Sequence, residues 1–65
     1  MIVQLWKKNR KDGEEIFASV QQYDGGGFII YYEETNTISP PAPLEENEKA
    51  LQLAGYQYII TQEIF

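Results

Sequence analysis

The chain is 65 residues long, carries ten acidic side chains against five basic ones for a net charge of −5, and has neither cysteine nor histidine. A chain of this size is expected to form one domain, residues 1–65, whose core rarely supplies more than about 3–5 kcal/mol without a staple or a second copy. The missing residue types exclude disulfides, thiolate and imidazole metal sites and histidine acid–base catalysis, and they leave no cofactor to expect.

In chain order, "IVQLW" alternates as a strand, with Val3 and Leu5 on one face and Ile2, Gln4 and Trp6 on the other. "KKNRKDG" reads as a polar connection, and Asp12-Gly13 as its turn, because Gly tolerates positive φ and Asp can bond its own backbone. "EEIFASVQQY" is a second strand with Ile16, Ala18 and Val20 on one face and Phe17, Ser19 and Gln21 on the other. "DGGG" is followed by "FIIYYEE", a β-branched and aromatic strand, rather than by the helix that a phosphate-cradling loop requires. The three glycines are therefore read as a hairpin bend.

"TNTISPPAP", residues 35–43, is predicted to be an extended, irregular crossover, since each residue before a proline is pushed out of the α region. Pro40 and Pro43 have the PxxP spacing of a polyproline ligand, but a stiff crossover explains them as well. Pro43 suits the first position of a helix whose start is rich in Glu45, Glu46 and Glu48 and whose apolar stripe is Leu44, Leu51 and Ala54, widened by Ala50 and Leu53. Gly55 ends it, and "YQYIITQEIF" is the final strand.

The order β-β-β-α-β predicts an α+β domain: a four-stranded, mostly antiparallel sheet with one helix on one face. A small SH3-like barrel is the alternative. One short helix covers one face only, yet the strands are apolar on both, and an uncovered apolar face marks a protein-binding surface. The expected function is a non-enzymatic interaction or regulatory module that binds another protein or a second copy of itself as a homodimer. Tyr31, Tyr56, Tyr58, Ile59 and Phe65 are the candidate contact residues, except any that the helix covers.

Charge supplies the alternative. Residues 1–11 hold Lys7, Lys8, Arg10 and Lys11 and no acid, a net +4, whereas residues 12–65 hold all ten acids against Lys49 alone, a net −9. Beside Trp6, the basic loop of residues 7–11 could serve a nucleic-acid or ribosome-associated factor, but the acidic body repels nucleic acid and disfavours that partner. Enzyme chemistry would fall to carboxylates in adjacent pairs, which point to opposite faces along a strand and do not converge. No apolar run approaches the roughly 18 residues of a membrane span. "MIVQLW" precedes its basic cluster, the reverse of a signal peptide, so a cytoplasmic protein is expected.

Overall fold

In the computed structural model, which describes residues 1–64, the chain forms β1 (Ile2–Asn9), β2 (Glu15–Gln22), β3 (Phe28–Tyr32), β4 (Thr37–Ile38), α1 (Leu44–Leu53) and β5 (Gln57–Glu63). The strands make one antiparallel sheet in the order β4-β3-β2-β1-β5. This is the expected α+β class with one helix, but with five strands rather than four. The end strands β4 and β5 do not pair, so the sheet is open and the barrel alternative is not adopted.

The extra strand comes from the crossover. Thr37 and Ile38 pair with Tyr32 and Tyr31, Ser39 exchanges bonds with Ile30, and Ala42 bridges to Phe28 through two short backbone bonds. Residues 37–42 thus run along β3 as an interrupted strand, with Pro40 and Pro41 as the interruption. Proline cannot donate to a ladder, so it sits where the pairing is broken. The PxxP segment is accordingly bonded into the sheet edge.

Two turns follow the sequence closely. Asp12 accepts from the Glu14 amide at 3.0 Å and Gly13 has φ +87°, closing the β1–β2 hairpin. At "DGGG" the Tyr23 amide donates to the Gly27 carbonyl, and Gly26 and Gly27 have φ of +104° and +78°. The hairpin tip is shorter than expected, however. Lys7 and Lys8 belong to β1, paired with Phe17 and Ile16, because the ladder with β2 extends to Asn9–Glu15 beyond them.

Pro43 is the N-cap of α1 rather than its first helical residue, one position earlier than predicted. The C-terminus is a Schellman turn: Gly55, at φ +92°, donates to Gln52, and the Tyr56 amide donates to the Leu51 carbonyl. The buried stripe differs from the predicted one. Leu44, Asn47, Glu48 and Leu51 face the sheet, while Leu53 is 85 % exposed and Ala50 and Ala54 are also exposed. Spacings of three and four from Leu44 decide this face, and they leave Leu53 on the far side of the helix.

Under α1 lies the core: Trp6, Ile16, Ala18, Val20, Ile30, Leu51 and Tyr56, with Phe28, Tyr32 and Leu44 packed against it. The register aligns Gln4, Val20 and Ile30 in one row and Trp6, Ala18 and Tyr32 in the next. Polar groups enter this core only with partners or at its margin. The Trp6 indole donates to Gln4 Oε1, and Gln4 Nε2 donates to Glu48 on the helix. Asn47 Nδ2 is the buried exception, with no hydrogen-bond partner.

Candidate protein-binding face

The opposite face of the sheet carries no described layer. Pairing register places Ile60, Leu5, Ser19, Tyr31 and Ile38 in a single row that crosses all five strands. Beside it runs a second row of Gln62, Val3, Gln21 and Ile29. Alternation along each strand forces this arrangement: on β1, β2 and β3 the intervening residues Gln4, Trp6, Ala18, Val20 and Ile30 are buried on the helix side, whereas on β4 and β5 the intervening Thr37 and Thr61 are exposed. Ile38 is 63 % exposed and Ile60 45 % exposed, while Val3, Leu5, Ile29 and Tyr31 are half-buried by their neighbours.

Charge is nearly absent from the two rows. The ion pair of Lys7 and Glu15, at 2.7 Å, lies at one end of the face, and the remaining polar side chains are serine and glutamine. The acids that give the chain its charge sit mainly in the turns and on the helix. An apolar row flanked by neutral amides is suited to desolvation against another protein, since no uncompensated ion has to leave water.

The predicted contact residues separate into four situations. Tyr31 lies on the uncovered face between Ser19 of the central strand and Ile38 of the edge strand, its hydroxyl donating to Asn36 Oδ1 at 2.8 Å. Tyr58 and Ile59 are on the exposed strand β5. Tyr58 leans edge-on against Trp6 at 5.6 Å, and Ile59 is the extra residue of a bulge between the pairs Leu5–Ile60 and Trp6–Tyr58. Tyr56 is corrected: it is 6 % exposed, held in the core as the residue after the Schellman glycine. Burial pushes its phenol pKa up, and the Glu34 and Tyr32 charges add to the effect. Phe65 lies outside the described residues.

Leu5, Ile29, Ile38 and Ile60 were missed as contact candidates. Leu5 and Ile29 share faces with Val3 and Tyr31 by alternation alone, but the alignment of these residues with Ile38 and Ile60 in adjacent rows depends on register, which a single strand does not reveal.

The basic residues do not form a free patch. Trp6 is 2 % exposed in the core and cannot stack on a ligand, a correction that follows from its place on the helix-covered side of β1. Lys8 Nζ donates to the Ala54 carbonyl at the helix C-terminus and lies 4.8 Å above the Tyr56 ring. Both contacts favour a cation there. Arg10 faces Glu34 at 3.3 Å, with Asp12 and Glu14 at 3.9 and 4.0 Å. Among the described residues Lys11 alone of the four is without such a partner. A cleft of about 590 Å³ lies between this hairpin and the helix end, lined by Lys8, Arg10, Lys11 and Glu34 among others.

The fold does bring two of the acidic pairs together. β2–β3 pairing sets Glu33 and Glu34 beside Glu14 and Glu15, around Arg10, in a second cleft. Adjacent residues on one strand diverge, but strands paired across a sheet bring separate pairs to one place. Among the described residues no group of three or more acidic side chains could hold a metal ion. No described helix is long and apolar enough to cross a membrane. No family model, no curated protein and no solved structure matches the chain.

Proposed function

We propose that this protein is a non-enzymatic interaction module that binds another protein through the helix-free face of its sheet. The observation that carries this reading is the row Ile60–Leu5–Ser19–Tyr31–Ile38, apolar but for one serine, exposed at its two ends, half-buried at Leu5 and Tyr31, and buried at Ser19 on the central strand, with no described layer over it. Five strands about 4.8 Å apart and about six residues long offer roughly 500 Å². That is below the roughly 800 Å² per partner of a standard interface and suits a weak or transient complex. Its neutrality selects a partner patch that is likewise apolar and uncharged.

The alternative, a nucleic-acid or ribosome-associated factor, draws little support from the basic hairpin, where three of the four cations are occupied by carboxylates or by the helix end. Phosphate contacts would have to displace those partners. A cytoplasmic setting belongs to the proposal; the cysteine-free composition is compatible with it and does not require it.

Photo-crosslinking in the source cell tests the reading. A benzophenone side chain at Tyr31, on the uncovered face, is expected to give discrete protein adducts, and the same group at Glu46, exposed on the helix, is not. Equal adduct patterns from the two positions would overturn it.

A further inference from the structure

The two edges of the sheet differ in their backbone chemistry. β5 has β1 on one side and no other described strand on the other. Met1 and Ile64 exchange both backbone bonds, at 2.8 and 2.7 Å. In an antiparallel ladder, hydrogen-bonded and non-hydrogen-bonded pairs alternate. The exchange therefore makes Val3–Gln62 and Leu5–Ile60 hydrogen-bonded pairs, with Ile2–Glu63 and Gln4–Thr61 between them. It follows that the N–H and C=O groups of Thr61 and Glu63 point away from β1, into solvent. The bulge at Ile59 ends this open run.

Side chains on the same segment alternate in step. Ile60, Gln62 and Ile64 lie on the helix-free face, and Thr61 and Glu63 on the other. Glu63 is the one charged residue from Tyr56 to Phe65, and no proline guards the strand. An unguarded edge of this kind is a template for another strand.

We propose that β5 pairs antiparallel with β5 of a second copy, about a twofold axis at Gln62, joining two five-stranded sheets into one. This register uses what the segment presents. Thr61 of each copy exchanges backbone bonds with Glu63 of the other, so all four outward pairs of groups on these residues are satisfied. Ile60 packs against Ile64 of the second copy and the reverse, across the close, non-hydrogen-bonded positions. The central Gln62 amides meet each other. No like charges are opposed, since each Glu63 faces a threonine. A parallel arrangement would set Glu63 beside Glu63 instead. Self-pairing also covers Ile60 and Ile64, 45 and 50 % exposed, in one step. It continues the apolar row through Ile60 from one molecule into the next, which doubles the proposed binding face. The inference rests on the reading of this protein as an interaction module, but not on the identity of what the face binds.

Sedimentation equilibrium from about 1 μM to 1 mM covers the range of weak to moderate dimers and is expected to show a concentration-dependent mass. Two substitutions at one position test the register. Thr61→Glu sets a carboxylate opposite Glu63 of the other copy, twice per dimer, and is expected to weaken association by about tenfold. Thr61→Lys sets an ammonium there and should retain or tighten it, with the gain lost at high salt. Both variants lose the Tyr58 hydroxyl contact equally, and Thr35→Glu, in the distant β3–β4 turn, controls for net charge. Hydrogen exchange gives a reading on the unaltered chain: the Thr61 and Glu63 amides should slow as concentration rises, whereas those of Ile60 and Gln62, bonded to β1, are slow throughout. A strict monomer at 1 mM, equal effects of Thr61→Glu and Thr61→Lys, or unprotected Thr61 and Glu63 amides in the dimer would each overturn the pairing. Association abolished by Tyr31→Lys and indifferent to Thr61→Glu would overturn it and leave the helix-free face standing. A dimer sensitive to Thr61→Glu, with no crosslinks from position 31, would do the reverse.

Discussion

On one face of the sheet Trp6, Ala18, Val20 and Ile30 lose nearly all contact with water beneath Leu51; on the other, Leu5, Tyr31, Ile38 and Ile60 keep part of theirs. The same strands supply both sets at alternate positions, and the residue types differ little. What separates the faces is a ten-residue helix, which is long enough to cover the middle strands once. Apolar character along a strand therefore does not identify a core. The face that gains a second layer becomes core, and the face that does not keeps part of its apolar surface in water.

Leu51→Ala should break the covered face most severely. Its side chain is fully buried, and truncation of such a leucine costs about 2–5 kcal/mol. In a domain of about 3–5 kcal/mol total stability, the variant is expected to be largely unfolded at 25 °C. Urea denaturation followed by Trp6 fluorescence checks this, and a variant that keeps a cooperative transition at the wild-type midpoint would deny the helix its role. Asn47, one turn earlier on the same helix face, predicts the opposite sign. Its Nδ2 is buried without a partner, so Asn47→Leu should raise stability by about 1 kcal/mol in the same measurement.

The strap that carries the chain from the sheet to the helix is the next point of attack. A Cβ at Gly27 would stand 3.1 Å from the Ala42 carbonyl oxygen, which is held by the Phe28 amide at 2.7 Å and cannot easily move. The φ of +78° adds backbone strain, so Gly27→Ala is expected to cost about 2 kcal/mol. At Gly26 the φ is +104° but an added Cβ meets nothing within 4 Å, and Gly26→Ala should cost about 1 kcal/mol. Equal losses at the two positions would show that the strap does not press on the hairpin.

How the residues of β1, β2 and β3 divide between two faces was legible in the sequence, because successive side chains of a strand alternate and the Asp-Gly and poly-glycine turns separate the three strands; which face the helix covers was not, since both faces are apolar. The class of fold followed from the order of these segments. Three further things were not legible. Thr37–Ile38 is too short to show a period, and its pairing depends on β3 lying alongside. Tyr56 reads as the start of a strand, but the Schellman turn claims it for the core. The bulge at Ile59 shifts the register of β5 by one residue, and nothing in "YQYIITQE" marks the position where β1 and β5 slip. The row of the candidate site was hidden for the same reason: its members come from all five strands, and register alone brings them into line.

The smallest effects are expected on the bare face, and they test the comparison most directly. Ile38→Thr and Ile60→Thr keep the β-branched shape that suits a strand while removing apolar surface from the row. Ile38 is 63 % exposed on the two-residue edge strand, where it pairs with Tyr31, so little of its area is removed from water on folding. Ile60 is flanked by β1 on one side alone. Each substitution should change the stability of the monomer by no more than about 0.5 kcal/mol, the range of ordinary surface changes. The measurement is a urea titration at about 1 μM, below the range in which weak dimers form. A loss near that of Leu51→Ala would mean that this face is closed in the folded monomer and belongs to its core. A negligible loss at 1 μM that grows with protein concentration would locate the worth of these residues between molecules, because a ligand that binds only the folded state, here a second copy, stabilises in proportion to its concentration.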